Sequence, residues 1–158
     1  MKMLVVYFSA TGRTARAAQK LASELKCDTY EIKPARPYTA ADLNWMDNGS
    51  RSSLEMKDKS SRPDIVKDGF DLSGYDTILL GYPVWWYTAP TIINTFLESY
   101  DCSGKEMILW ATSGSSGLGK ARLDLAGSTA ATIVDGRILN SETQIRQFAK
   151  EVSDRFDR

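Results

Sequence analysis

The chain has 158 residues, of which 42% are hydrophobic and 25% charged, with 20 Lys+Arg balanced by 20 Asp+Glu. That size and composition fit one soluble globular domain spanning 1–158, and a net charge of zero argues against a nucleic-acid binder held by bulk charge. There is no histidine and there are two cysteines, Cys27 and Cys102. A Ser-His-Asp triad, a Cys-His pair, a His-ligated metal and a Cys-ligated zinc or iron–sulfur centre are therefore excluded within this chain.

The two cysteines lie 75 positions apart and read as reduced packing residues of a cytoplasmic protein. The longest apolar runs are six residues, against roughly 20 needed to cross a bilayer. No membrane association is expected.

The first element in chain order is Met3–Phe8. It is short for the core of a signal peptide and reads as a buried strand. Ala18, Leu21, Ala22 and Leu25 then fall at helical spacing after Thr14. Thr29–Ile32 is a weaker strand. Residues 34–72 differ, with Pro34, Pro37 and Pro63, many charges and few apolar positions. Within them Thr39–Met46 and Ser52–Lys57 have the character of short helices. The alternative is a loose crossover lying over a ligand site.

Thr77–Tyr82 and Met107–Thr112 are continuous apolar runs of the kind buried on both faces of a parallel sheet. Between them Ile93, Phe96, Leu97 and Tyr100 form a helical stripe, with Pro90 suited to its first turn. Ile133-Val134, with a continuation at Ile138-Leu139 beyond Asp135-Gly136, supplies a fifth strand. Ile145, Phe148, Ala149, Val152 and Phe156 make the last helix, opened by a Ser141/Gln144 capping box. Strand and helix in alternation mean a doubly wound α/β sheet. Charge is uneven along it, with 11 basic and 7 acidic residues in 1–62 but 2 basic and 7 acidic in 63–112.

Ligands of open α/β sheets bind beyond the carboxyl ends of the strands, so the loops there matter most. After the first strand comes Ser9-Ala10-Thr11-Gly12-Arg13-Thr14. Hydroxyls, a glycine and a helix start make either an anion cup or an ordinary helix cap. It matches neither a triphosphate loop nor a dinucleotide glycine motif. After the third strand, Pro83-Val84-Trp85-Trp86-Tyr87 places three adjacent aromatics where they cannot all enter the core. That suits a flat aromatic ligand, or else a plug or partner interface. After the fourth, Thr112-Ser113-Gly114-Ser115-Ser116-Gly117 is either an amide-rich loop for a ligand edge or a flexible turn. A phosphate cup, an aromatic clamp and an amide loop at three neighbouring strand ends together fit FMN better than ATP.

On these residues the chain resembles the flavodoxins over nearly its whole length. Ser9-x-Thr11-Gly12-x-Thr14 is similar to the family's phosphate loop, and Gly81-Tyr82-Pro83-Val84-Trp85-Trp86 with Ala89-Pro90 looks like a bacterial flavodoxin-like variant. The short connection around the fifth strand is like that of the short-chain subgroup. The resemblance implies a flavodoxin-like doubly wound five-stranded parallel sheet, order 2-1-3-4-5, with helices on both faces. It implies FMN as cofactor. Ser9, Ala10, Thr11, Gly12, Arg13 and Thr14 would hold its phosphate, and Pro83, Val84, Trp85, Trp86 and Tyr87 would flank the ring. Thr112, Ser113, Gly114, Ser115 and Gly117 would reach the pyrimidine edge.

No catalytic side chain and no metal are implied. The implied role is a low-potential electron carrier between redox partner proteins, reductase or ferredoxin-type, acting as a monomer or weak dimer. The alternative is an FMN-dependent NAD(P)H or quinone oxidoreductase on the same fold. A phosphoacceptor receiver is disfavoured, because the strand ends read Phe8-Ser9 and Tyr82-Pro83 rather than acidic residues. An interaction module that has lost its cofactor is opposed by the three loops alone.

Two departures from the family stand out. Flavodoxins are typically acidic and this chain is neutral. The second loop has no glycine between Pro83 and Thr88, whereas in the family a peptide near flavin N5 flips on one-electron reduction and glycine eases the flip. One-electron-reduced flavin is therefore expected to be favoured less here than in glycine-containing relatives.

Overall fold

The computed structural model describes residues 2–156, of Phe156 the backbone alone. The elements run β1 Met3–Tyr7, α1 Arg13–Leu25, β2 Asp28–Glu31, α2 Arg51–Lys57, β3 Thr77–Pro83, α3 Thr91–Ser99, β4 Glu106–Thr112, α4 Ala121–Leu125, β5 Thr132–Ile138 and α5 Glu142–Phe156. A single 3-10 turn, Ala126–Ser128, follows α4. All strand pairs of the sheet are parallel, in the order β2-β1-β3-β4-β5. The expected fold class and strand order are the observed ones.

The continuous apolar strands divide their side chains with a period of two between two helical layers. One layer receives Leu4, Val6, Phe8, Ile78, Leu80, Tyr82, Met107 and Leu109, and packs them against Ile92, Ile93, Phe96 and Leu97 of α3. The other receives Val5, Tyr7, Leu79, Ile108 and Trp110, and packs them against α1 and α5 through Ala18, Leu21, Ile145, Phe148 and Val152. The side chain of Phe156, the last member of the expected α5 stripe, lies outside the described residues.

Two expectations need correction, one is made more exact, and one element was not expected. Residues 39–46 form turns and no helix. Thr39 N–H donates to Asp42 Oδ2, Asp42 N–H to Thr39 Oγ1, and Met46 N–H to Asn44 Oδ1. The first two are the reciprocal bonds of a capping box, and Leu43 N–H reaches the Thr39 carbonyl, but the N–H groups of Asn44 and Asp47 return to carbonyls only three residues back, so the first turn is not propagated. The fifth strand does continue past the Asp135-Gly136 step. β5 runs through it, with a register shift opposite Leu109 and Ala111. A Cβ on Gly136 would stand 2.3 Å from the Leu109 carbonyl oxygen and 2.9 Å from the Phe148 ring, so glycine permits the bulge to close against its neighbours. Pro90 caps α3 and lies outside its first turn, with φ −58° and ψ 145°. The five-residue helix α4 has no counterpart in the sequence reading.

No described helix is long and apolar enough to cross a membrane. Cys27 and Cys102 are both free. Burial pushes the Cys27 thiol up to about 11 and raises that of Cys102 as well.

Candidate functional site

The carboxyl ends of β1, β3 and β4 open into one cleft of about 580 Å³. Ala10, Thr11, Arg13 and Thr14 line it from the first loop, Pro83 to Tyr87 from the second, and Thr112 to Ser116 from the third. The three loops singled out in the sequence are thus brought together. Ser9, Gly12 and Gly117 do not line it.

Ser9 and Gly12 shape the cup from behind. Ser9 Oγ accepts the N–H groups of Gly12 and Ala15, each at 3.1 Å. Gly12 has φ 95° and stands at the N-terminus of α1, a left-handed conformation that glycine adopts without steric penalty. The helix ladder opens with Arg16 N–H on the Gly12 carbonyl. The N–H groups of Arg13 and Thr14 are left without a partner among the described residues. They stand at the positive end of the helix dipole. The exposed Arg13 guanidinium is in no ion pair among those residues.

Thr14 and Thr112, both buried, share a hydrogen bond of 2.8 Å between their hydroxyls. Two hydroxyls carry two hydrogens and their mutual bond consumes one. One O–H is free to donate, and the bond ties the first loop to the third.

The second loop is a two-residue reversal. Trp85 N–H donates to the Thr88 carbonyl at 3.0 Å and Thr88 N–H returns to the Trp85 carbonyl at 3.1 Å. Between them Trp86 and Tyr87 have φ 48° and 62°. This is the pattern of a type I′ turn, which favours Asn-Gly and is here built from two aromatics. Of the three aromatics only Trp85 is anchored, edge-on to Phe8 and to Tyr38 with centroids 5.8 and 5.5 Å away. Trp86 and Tyr87 are exposed. The Tyr87 carbonyl accepts the Lys120 N–H at 3.0 Å, and Thr88 Oγ1 donates to Asp124 Oδ2 at 2.7 Å. Gly119, with φ 62°, lets that contact form, since its Cβ would lie 1.9 Å from the Tyr87 oxygen.

The third loop is clamped from β5. Ser113 N–H donates to Asn140 Oδ1 at 3.0 Å and Asn140 Nδ2 donates to the Ser113 carbonyl at 2.8 Å. Ser113 Oγ accepts the Ser116 N–H. The N–H groups of Gly114 and Ser115 have no partner among the described residues.

A fourth wall comes from the crossover, as the alternative reading of residues 34–72 allowed, though its residues were not singled out. Leu43, Trp45 and Ser52, all from the crossover between β2 and β3, also line the cleft. The crossover is fastened beside it by Tyr38. Arg51 lies 3.8 Å from that ring's centroid, Tyr38 Oη donates to Glu55, and Arg51 Nε pairs with Glu55 at 2.9 Å. Burial and the Glu55 hydrogen bond push the Tyr38 phenol far up. A signal that could have picked out its residues is Leu43-Asn44-Trp45-Met46, three large apolar side chains within an otherwise polar segment.

A flavin mononucleotide needs donors for a dianionic phosphate, flat apolar walls for its ring and donors for the ring's carbonyl edge. The unpartnered amides of Arg13 and Thr14, the walls of Val84 to Tyr87 with Trp45, and the open amides of Gly114 and Ser115 fit those needs in that order. An open parallel sheet of this order with a site at the β1/β3 switch point defines the flavodoxin-like class. The flavodoxin family model matches residues 2–154, and the chain belongs to that family.

Among solved structures, a candidate flavoprotein from Bacteroides uniformis is 49% identical, with TM-score 0.89 over 94% of this chain and 97% of that one. Another, from Bacteroides eggerthii, is 44% identical, with TM-score 0.88 over 96% and 98%. A Lactobacillus acidophilus flavoprotein solved in complex with FMN is 25% identical, with TM-score 0.66 over 92% and 98%. No functionally curated protein matches the chain.

Proposed function

We propose that the protein binds FMN and serves as an electron carrier between redox partner proteins, reductase or ferredoxin-type. The observation that carries this reading is what lines the cleft. Arg13 and Tyr87 are its only titratable side chains, and no carboxylate, lysine or thiol is among the lining residues. Such a site binds and orients a group that brings its own reactivity. Bound FMN supplies one- and two-electron transfer.

The chain's part is then to hold the phosphate on the α1 amides and Arg13 and to wall the ring with Trp85, Trp86 and Tyr87. Trp86 and Tyr87 are exposed, so the loop they form is open to a docking partner. The FMN complex of the Lactobacillus relative supports the same cofactor here.

The experiment is reconstitution of the purified protein with FMN, desalting and a visible spectrum, followed by addition of NADH or NADPH. Retained flavin bands with no more than slow oxidation of the nicotinamide support the carrier. Rapid multiple turnover with NAD(P)H and a quinone would replace it by the oxidoreductase. A colourless protein would overturn both.

A further inference from the structure

Three buried serines sit at the start of α2. Ser50 Oγ donates to Ser53 Oγ at 2.9 Å and accepts the Ser53 N–H, while Ser53 Oγ donates to the Asp47 carbonyl at 2.8 Å. Ser52 Oγ, in a residue 2% exposed, has no hydrogen-bond partner. Its backbone N–H is satisfied by the Asp42 carbonyl at 2.9 Å. Buried hydroxyls are nearly always hydrogen-bonded. Of these three, the one that is not is the one that lines the cleft. A serine hydroxyl is redirected by rotation about a single χ1, which has three staggered wells.

We propose that Ser52 is a cofactor-binding residue contributed by the crossover, its hydroxyl donating to an oxygen of the ribityl phosphate chain of bound FMN. The inference rests on the FMN reading above. The sheet order favours the chain over the ring edge as the acceptor. The crossover leaves β2, which lies beside β1 and the first loop, whereas the amide loop follows β4, two strands further on. Tyr38 of the crossover packs both on Phe8, at the end of β1, and on Trp85 of the second loop, so the crossover lies along the cleft between the cup and the second loop, on the side away from the amide loop. The hydroxyl's lack of a partner within the fold is the counterpart of a partner in the ligand.

The test uses the full-length apoprotein, wild type and Ser52→Ala, titrated with FMN and with lumiflavin, which has the ring but no ribityl phosphate. Binding is read by quenching of flavin fluorescence, and apo stability by thermal unfolding. The expected result is FMN binding weakened about tenfold, the change that loss of one hydrogen bond to a charged acceptor produces. Lumiflavin binding should be unchanged and the apo melting temperature equal or higher, because no internal bond is removed. Equal FMN affinity in both proteins overturns the inference. So does an equal loss for both flavins, or an apo melting temperature that falls. Failure of the wild type to bind FMN overturns the parent reading instead, so the two failures are distinguishable.

Discussion

Replacing Trp86 and Tyr87 by the residues their turn favours should leave the stability of the apoprotein nearly unchanged, although two aromatic side chains are lost, while weakening its cofactor site. Both hold positive φ, 48° and 62°, and the left-handed region costs an L-residue with a bulky side chain about 1–2 kcal/mol. The pair therefore stores about 2–4 kcal/mol. Trp86→Asn with Tyr87→Gly releases most of it, as Asn and Gly tolerate both positions. Against this stand about 0.5–1 kcal/mol for the added freedom of glycine in the unfolded chain and about 2–3 kcal/mol for the buried part of Trp86, which is 44% exposed. Tyr87, 72% exposed, contributes little packing. The two sides nearly cancel, so the apo melting temperature should move by no more than about 2–4 °C for a chain of this size. FMN affinity should fall, since each lost aromatic contact is worth about 0.5–1.5 kcal/mol. Thermal unfolding of both apoproteins and an FMN titration decide the matter. An apo variant destabilised by the full packing loss of about 3 kcal/mol would refute the assignment of strain to this turn.

Three further outcomes follow from individual positions. Gly12→Ala places a Cβ at φ 95° with nothing closer than the Arg16 guanidinium at 3.9 Å, so its effect is conformational. We expect a loss of about 1–2 kcal/mol, seen in denaturant titration, and a larger loss of affinity for FMN than for lumiflavin. Gly136→Ala drives a methyl into the Leu109 carbonyl and the Phe148 ring and should cost about 2–3 kcal/mol; unchanged unfolding would show that β5 can shift its bulge. The Cys27 thiol, raised to about 11 chiefly by burial, keeps its proton in the folded state above the pH at which the unfolded chain loses it. Its contribution is full below about pH 8.5 and declines as the pH rises toward 11. A stability profile over that range should therefore slope downward, and less steeply in Cys27→Ala.

The central strands were legible because burial on both faces leaves a run of apolar residues that no surface element shows. Met3–Tyr7, Thr77–Pro83 and Glu106–Thr112 match their expected bounds within a residue at each end. β5 was less legible because Asp135-Gly136 is a strong turn signal, and whether the glycine turns the chain or admits a neighbour depends on Phe148 and Leu109, residues distant in sequence. In 39–46 Thr39 and Asp42 do close a capping box, but the bonds that follow reach back only three residues and the chain turns instead of continuing as a helix. The site was legible in three of its four walls, because each of those follows a strand that the apolar pattern marks. Leu43, Trp45 and Ser52 follow no such strand. Asn140, which clamps the amide loop through the N–H and the carbonyl of Ser113, follows β5, whose bounds the Asp135-Gly136 step obscured.

Negative charge is absent from the walls of the cleft, and that has a consequence for the potential of a bound flavin. Reduction adds electrons to the ring, and a carboxylate about 6 Å away would oppose a full negative charge there by about 3 kcal/mol at an effective dielectric of about 20. Solvent screening at a partly exposed position reduces this to about 1 kcal/mol, which for one electron is on the order of 50 mV. Ser116, half-buried on the cleft wall, is a suitable site for such a charge, because its hydroxyl bonds Ser113 Oγ alone. Ser116→Asp should lower the midpoint of the most reduced couple by on the order of 50 mV at low salt, with the difference shrinking as salt is added. Spectroelectrochemical titration of the two FMN-loaded proteins measures it. A midpoint unchanged at low salt would mean that the third loop does not lie near the ring, and would send the search for the ring's polar edge to another wall of the cleft.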